Sequence, residues 1–298
     1  VICVAPNYTY ILYYKRMNHC KIPIELIDPF KIFKSCIDSS ISHKYENAEF
    51  DESIYTVKNT ISGGTYVFRI TVTNKPYKLI IKVARKSYNT LAQKNRYLEK
   101  MKEEVQYGIQ MDKLKIGPKI YDYFYVSTKY RNIKYINQYI IMESMTKDAD
   151  KALDSKLAIA EKIKIVNKMI LLISDQINNN VFCVDVKPQN YAVNIKNGKV
   201  DDVKMIDFGK YCYSIGSWDL SKEDIIRVLT FQILLFLYDD HRSVFTAFQK
   251  TTRYKLLVKD LRNVNFALIL FTDKYSERLY HYFDHDSIID GMVEMGII

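Results

Sequence analysis

An α+β fold, with a small antiparallel sheet early in the chain and a mainly helical region after it, is predicted by three observations. Residues 53–83 contain three runs, SIYTVKNTI, GGTYVFRITVT and YKLIIKVA, that alternate apolar and polar side chains with the two-residue period of strands. Residues 152–179 carry Leu157, Ile159, Ile163, Val166, Ile170, Leu171 and Ile173, the spacing of an apolar helix face. After a last hairpin the chain reads as helical. A sheet followed by helices predicts two lobes with a cleft between them.

The elements follow in order. Residues 1–50 form an N-terminal extension that packs on the first lobe, with a helix begun near Asp28–Pro29, where Pro suits a first turn. The first lobe spans 51–145. Its three strands, with a turn at Asn74–Pro76, are followed by one helix over 89–114, which Gly117-Pro118 ends. KIYDYFYVS and NQYIIMESM are two further strands. The helical lobe spans 146–298 and begins with one long helix over 152–179. Next come a loop, VDVKPQN, and a hairpin, YAVNIKNGKVDDVKMI, whose Asn197-Gly198 pair suits a two-residue turn.

Composition narrows the class. With 298 residues and 48% hydrophobic side chains the chain can bury a large core. Five cysteines, scattered and without C-x-x-C spacing, predict neither a disulfide framework nor a zinc knuckle, and point to a reducing, intracellular setting. No secretory signal is expected at VICVAPNYTYILYYK, which Pro6 and Asn7 interrupt. The longest apolar run, Val228 to Tyr238, is too short to span a bilayer and reads as a buried helix. A net charge of +10 favours anionic partners, nucleotides and nucleic acid among them, but no nucleic-acid motif accompanies it.

The chemistry-bearing pattern is Asp185-Val186-Lys187-Pro188-Gln189-Asn190, followed across the hairpin by Asp207-Phe208-Gly209. Its carboxylates, amide and ammonium group are those needed to orient a hydroxyl, offset phosphate charge and hold a hard cation. The two segments resemble the catalytic loop, D-x-K-P-x-N, and the metal-binding loop, D-F-G, of the protein-kinase superfamily. By that resemblance Asp185 accepts the acceptor's proton, Lys187 contacts the γ-phosphate, and Asn190 with Asp207 holds Mg²⁺, or Mn²⁺ in its place.

The resemblance extends upstream. Lys82 occupies the place of the family's ATP-orienting lysine, fifteen residues after Val67, the residue that would cover adenine. Its expected partner is Glu104, with Glu103 and Glu99 as alternatives. Met142 would border the back of the adenine pocket, and the backbone of Glu143 and Met145 its edge. Anchored on Val67, the family's phosphate-covering glycines fall at Thr60, Ser62 and Thr65, whereas the chain has Gly63-Gly64, read as a tight turn facing a phosphate.

Three features depart from the family. Cys183-Val184-Asp185 replaces H-R-D, which removes the arginine that docks a phosphorylated activation loop; Cys183 reads as a core residue. No A-P-E follows Gly209, so the activation segment is short and the helical lobe reduced. Asp219 or Asp224 stands in for the acid that braces the catalytic loop. The resemblance covers Ser53 to Leu237 and implies a compact serine/threonine protein kinase, similar to those of large DNA viruses and bacterial effectors. ATP, Mg²⁺ and a protein substrate are the implied partners. The alternatives are a pseudokinase that acts as a binding scaffold and a small-molecule kinase of the aminoglycoside or choline type.

Overall fold

A computed structural model describes residues 4–5, 8–9, 11–13, 22–23, 33, 48–59, 63–72, 78–130, 132–208, 212–214, 220–263 and 285–298. The fold is α+β, with antiparallel sheets and, among the described residues, seven helices. It divides into two compact units: Val1–Asp112 with Pro118–Ser144, and Lys113–Gly117 with Met145–Ile298. The helix expected near Asp28–Pro29, the turn at Asn74–Pro76 and most of the segment after Asp207, Asp219 included, lie outside the described residues.

The first unit is built on a seven-stranded sheet. Four short strands, β1 (Val4–Ala5), β2 (Tyr8–Thr9), β3 (Ile11–Tyr13) and β4 (Ile22–Pro23), precede the long strands β5 (Ala48–Asn59), β6 (Gly63–Val72) and β7 (Lys78–Tyr88). Helix α1 (Leu91–Lys113) and strands β8 (Ile120–Tyr130) and β9 (Ile133–Glu143) complete it. The sheet order is β3-β8-β9-β7-β6-β5, with β4 added parallel to β8; β1 and β2 form a separate antiparallel pair.

Because side chains alternate across a strand, each register pair assigns its residues to one face. Phe68, Ile81 and Ile141 lie on one face, as do Tyr66, Val83 and Tyr139. An aromatic cluster fills that side: Tyr139 stacks on its register partner Phe124 at 4.7 Å, and the buried Phe33 lies 6.3–6.4 Å from Phe68, Phe124 and Tyr139. The same face buries Arg85, whose Nε donates to Asn137 Oδ1 at 3.0 Å and whose guanidinium lies over the Tyr66 and Tyr135 rings. Loss of hydration at this site pulls the Arg85 pKa below its ordinary value.

Helix α1 begins with a capping box. Thr90 Oγ1 accepts from the Gln93 N–H, and Gln93 Oε1 accepts in return from the N–H groups of Asn89 and Thr90. Met101, Val105, Gly108 and Met111 form its buried stripe.

The second unit contains β10 (Lys147–Asp148), α2 (Ala149–Asp154), α3 (Ile159–Asn178), β11 (Val181–Cys183), a 3₁₀ turn (Pro188–Asn190), β12 (Tyr191–Lys196), β13 (Lys199–Met205) and β14 (Cys212–Ser214). Helices α4 (Lys222–Asp240), α5 (Arg242–Gln249), α6 (Thr252–Leu261) and α7 (His285–Glu294) follow. The single helix expected over 152–179 is two. Ser155 ends α2, its N–H and hydroxyl both donating to the Ala152 carbonyl, and α3 starts at Ile159. Along α3, Ile159 and Leu171 are exposed, while Val166, Ile170 and Ile173 face the core.

Helix α4 is buried from Val228 to Leu237, its Thr230 and Gln232 included, and no helix among the described residues is long and apolar enough to cross a membrane. His241, at its C-terminus, has both ring nitrogens 3.0 Å from carboxylate oxygens of α2, those of Asp150 and Asp154. Gly291 of α7 lies against the Leu235 side chain of α4, where a Cβ would collide.

The cysteines correct the sequence reading: Cys183 and Cys212 form a disulfide. They are 29 residues apart and opposite each other in the antiparallel β11–β14 pair, a proximity that no short-range spacing encodes.

Phe33→Ala tests whether the N-terminal segment belongs to the core of the first unit. It is expected to lower unfolding free energy in urea by about 3–5 kcal/mol, the usual cost of emptying a buried aromatic site. A change under about 0.5 kcal/mol, the scale of a surface substitution, would place Phe33 outside the core.

Candidate functional site

In the first unit the sheet presents Val67, Lys82 and Ile140 side by side, since Val67 pairs with Lys82 and Lys82 with Ile140. Ile80 and Met142 are partners two residues along, so Met142 shares that face, as does Arg69 opposite Ile80. Helix α1 lies on it: buried Gln138, across from Ala84, donates from its side-chain nitrogen to the Met101 carbonyl. One turn beyond Met101, Glu104 reaches Lys82, with Oε1 2.7 Å from Nζ and the two side chains 13% and 15% exposed. That decides among the three candidate acids. Glu103 is exposed, and Glu99 pairs with Lys102 at 2.6 Å.

One upstream expectation changes. Gly63 and Gly64 occupy the first two positions of β6, paired with Asn59 and Lys58 on one side and Lys86 and Arg85 on the other. They continue a ladder and form no phosphate-facing turn; residues 60–62, which connect the strands, lie outside the described residues. Glu143 donates its backbone N–H to the Lys119 carbonyl at 2.9 Å. Met145 belongs to the second unit and is buried.

The second unit gathers the other predicted residues. Val184, Val186 and Pro188 are buried, which pins the segment and turns the intervening Asp185 and Lys187 the same way; Lys187 Nζ lies 3.4 Å from Asp185 Oδ2. Lys187 has extended backbone and leads into the 3₁₀ turn, where the Asn190 N–H donates to its carbonyl at 2.9 Å. The buried Asn190 side chain donates from Nδ2 to the Asp185 carbonyl at 2.8 Å. Its nitrogen is thereby committed and its Oδ1, a hard donor, remains for a cation.

Asp207 reaches this group through the β12–β13 hairpin. Asn197 and Gly198 both have positive φ, 52° and 73°, which gives the two-residue turn the twist of its strands. The turn pairs Lys196 with Lys199, a one-residue register shift between Asn194 and Ile195 brings Tyr191 opposite Met205, and the Ile206 N–H donates to the Asn190 carbonyl at 2.8 Å. The next residue, Asp207, is exposed and has φ 65°, a backbone region that non-glycine residues enter rarely and Asp and Asn more readily than most.

Asp224 does not brace the Asp185–Asn190 segment. It sits in the first turn of α4, where Ser221 Oγ, the helix cap, accepts its N–H at 3.0 Å and Arg227 donates to one of its carboxylate oxygens at 3.0 Å. The support comes from the preceding helix instead: Gln176, fully buried on α3, accepts the Cys183 N–H at 2.9 Å. Sequence reading missed this residue because a buried glutamine on an apolar helix carries no motif. Tyr191, immediately after Asn190, was missed as well. It is wholly buried, and burial together with the nearby Asp185 charge pushes its hydroxyl pKa up, so it stays protonated.

No protein-family model matches the chain, and no curated protein is found similar to it.

A thermodynamic cycle of Lys82→Met, Glu104→Gln and the double variant is expected to give a coupling of about 1–3 kcal/mol in denaturant unfolding, as for contacting charged pairs. Glu103→Gln is expected to stay within about 0.5 kcal/mol of the parent, as exposed substitutions do. Equal effects of Glu103→Gln and Glu104→Gln would reject the assigned pair.

Proposed function

We propose that this chain is an ATP- and Mg²⁺-dependent phosphotransferase that phosphorylates serine and threonine hydroxyls of proteins inside the cell, as the protein-kinase superfamily it resembles would do. The observation that carries the reading is the grouping of Asp185, Lys187, Asn190 and Asp207 by one hairpin, with Asp207 in an uncommon backbone conformation.

Phosphoryl transfer asks little covalent chemistry of a protein and much positioning and charge stabilisation. In this reading the Asp185 carboxylate accepts the proton of the attacking hydroxyl, and Lys187, beside it, offsets charge on the transferring phosphoryl group. Lys82, held by Glu104, orients the α- and β-phosphates, and Val67 and Met142 on the same sheet face pack against adenine.

A cation fits the donors. Asp207 offers a carboxylate and Asn190 an amide oxygen, both hard ligands, and Mg²⁺ takes one or two protein oxygens while phosphates and water supply the rest. Among the described residues there is no group of three or more His, Cys, Asp or Glu that could hold a metal ion. When bound, Mg²⁺ would neutralise charge on the β- and γ-phosphate oxygens.

The test is transfer of labelled phosphate from ATP to generic protein acceptors in Mg²⁺. The parent is expected to transfer label, with Asp185→Ala and Asp207→Ala lower by about 10²-fold or more, the scale of lost proton transfer or charge stabilisation. Equal transfer by parent and both variants would discard the reading. ATP binding without transfer would move it to a nucleotide-binding scaffold.

A further inference from the structure

We propose that the Cys183–Cys212 disulfide is a reversible redox clamp on the segment that carries Asp185 and Asp207, and that its reduction lowers phosphotransfer; the second clause rests on the function proposed above. The bond closes a ring from 183 to 212, and Asp185, Lys187, Asn190 and Asp207 all lie inside it. One end of the ring is anchored, because Cys183 is buried and its N–H is held by Gln176 of α3. The other end is β14, three residues long, whose pairing with β11 runs Val181 to Ser214, Phe182 to Tyr213 and Cys183 to Cys212. A two-stranded pair this short is marginal by itself in water, so a covalent link at its end contributes much of what keeps β14 in register. Release of β14 would loosen the C-terminal side of Asp207 while the hairpin still held its N-terminal side.

Access favours exchange at one sulfur. Cys183 is buried, whereas Cys212 is half-buried. An external low-molecular-weight thiolate attacks Cys212 Sγ, the S–S bond breaks, and the electron pair leaves on Cys183, which takes up a proton. A second external thiolate attacks the external sulfur of the mixed disulfide and frees Cys212, which is protonated in turn. The protein disulfide is reduced to two thiols and two external thiols are oxidised to one disulfide; the reverse exchange remakes the clamp.

The experiment uses the whole chain equilibrated in buffers of varied reduced-to-oxidised glutathione ratio. Differential alkylation with mass analysis reads the bond, amide hydrogen exchange reads residues 204–214, and labelled-phosphate transfer reads activity. Formation of the bond as the buffer becomes oxidising is expected. Reduction is expected to speed exchange over 204–214 and to lower transfer on the order of tenfold, within the usual range of coupling between sites. Cys212→Ser, and separately Cys183→Ala/Cys212→Ala, should behave as the reduced parent at every ratio. Free thiols at 183 and 212 in every buffer would overturn the clamp and leave the function reading intact if label is transferred. A bond that forms without changing either exchange or transfer would overturn it as well. Faster exchange on reduction, with no transfer in either state, would support the clamp and reject the phosphotransferase reading instead.

Discussion

One backbone hydrogen bond organises the second unit's site: the Ile206 N–H donating to the Asn190 carbonyl, at the end of the β12–β13 ladder. Asn190 closes a segment that begins at Asp185, and Asp207 follows Ile206 directly, so this contact makes neighbours of two stretches separated by a hairpin. Its geometry is inherited from the other end of the ladder. The Asn197-Gly198 turn pairs Lys196 with Lys199, and a one-residue register shift between Asn194 and Ile195 then brings Tyr191 opposite Met205. The positive φ at Asp207 then turns the backbone out of the strand direction.

The first unit meets a similar demand with a two-faced sheet. One face is closed by Phe33, Phe124 and Tyr139, with Arg85 and Asn137 sealed beside them. The other carries Val67, Lys82 and Met142 under α1. A partly buried ammonium group on that face loses hydration, and the Glu104 carboxylate at 2.7 Å offsets the loss. The helix is set by two side-chain contacts of different kinds, the Thr90–Gln93 capping box at its start and Gln138 on the Met101 carbonyl in its middle. Rotation of α1 about its axis would separate Lys82 from Glu104, so helix start and ion pair depend on each other.

How much could be read in advance follows the range of each interaction. The three alternating runs, the Asn-Gly turn and the helix ended before Gly117-Pro118 are local signals, decided within a few residues by steric and backbone preferences. The errors arose where a local signal met a distant constraint. Gly63-Gly64 reads as a turn by composition, yet partners on both sides hold it as strand. The apolar pattern over 152–179 suits one long helix, but Ser155 turns back onto Ala152 and splits it.

By itself the sequence determined the α+β character of the chain and singled out the Asp185–Asn190 and Asp207 segments as its candidate site, because strand and helix periods and the loop residues around Asp185 and Asp207 are written along the chain. The tertiary structure alone decided which residues meet. It chose Glu104 from three acids, support of Cys183 by Gln176, and the bond between Cys183 and Cys212. Each of those choices depends on helix rotation or strand register, and both are set by packing between segments distant in the chain, which no spacing along it records.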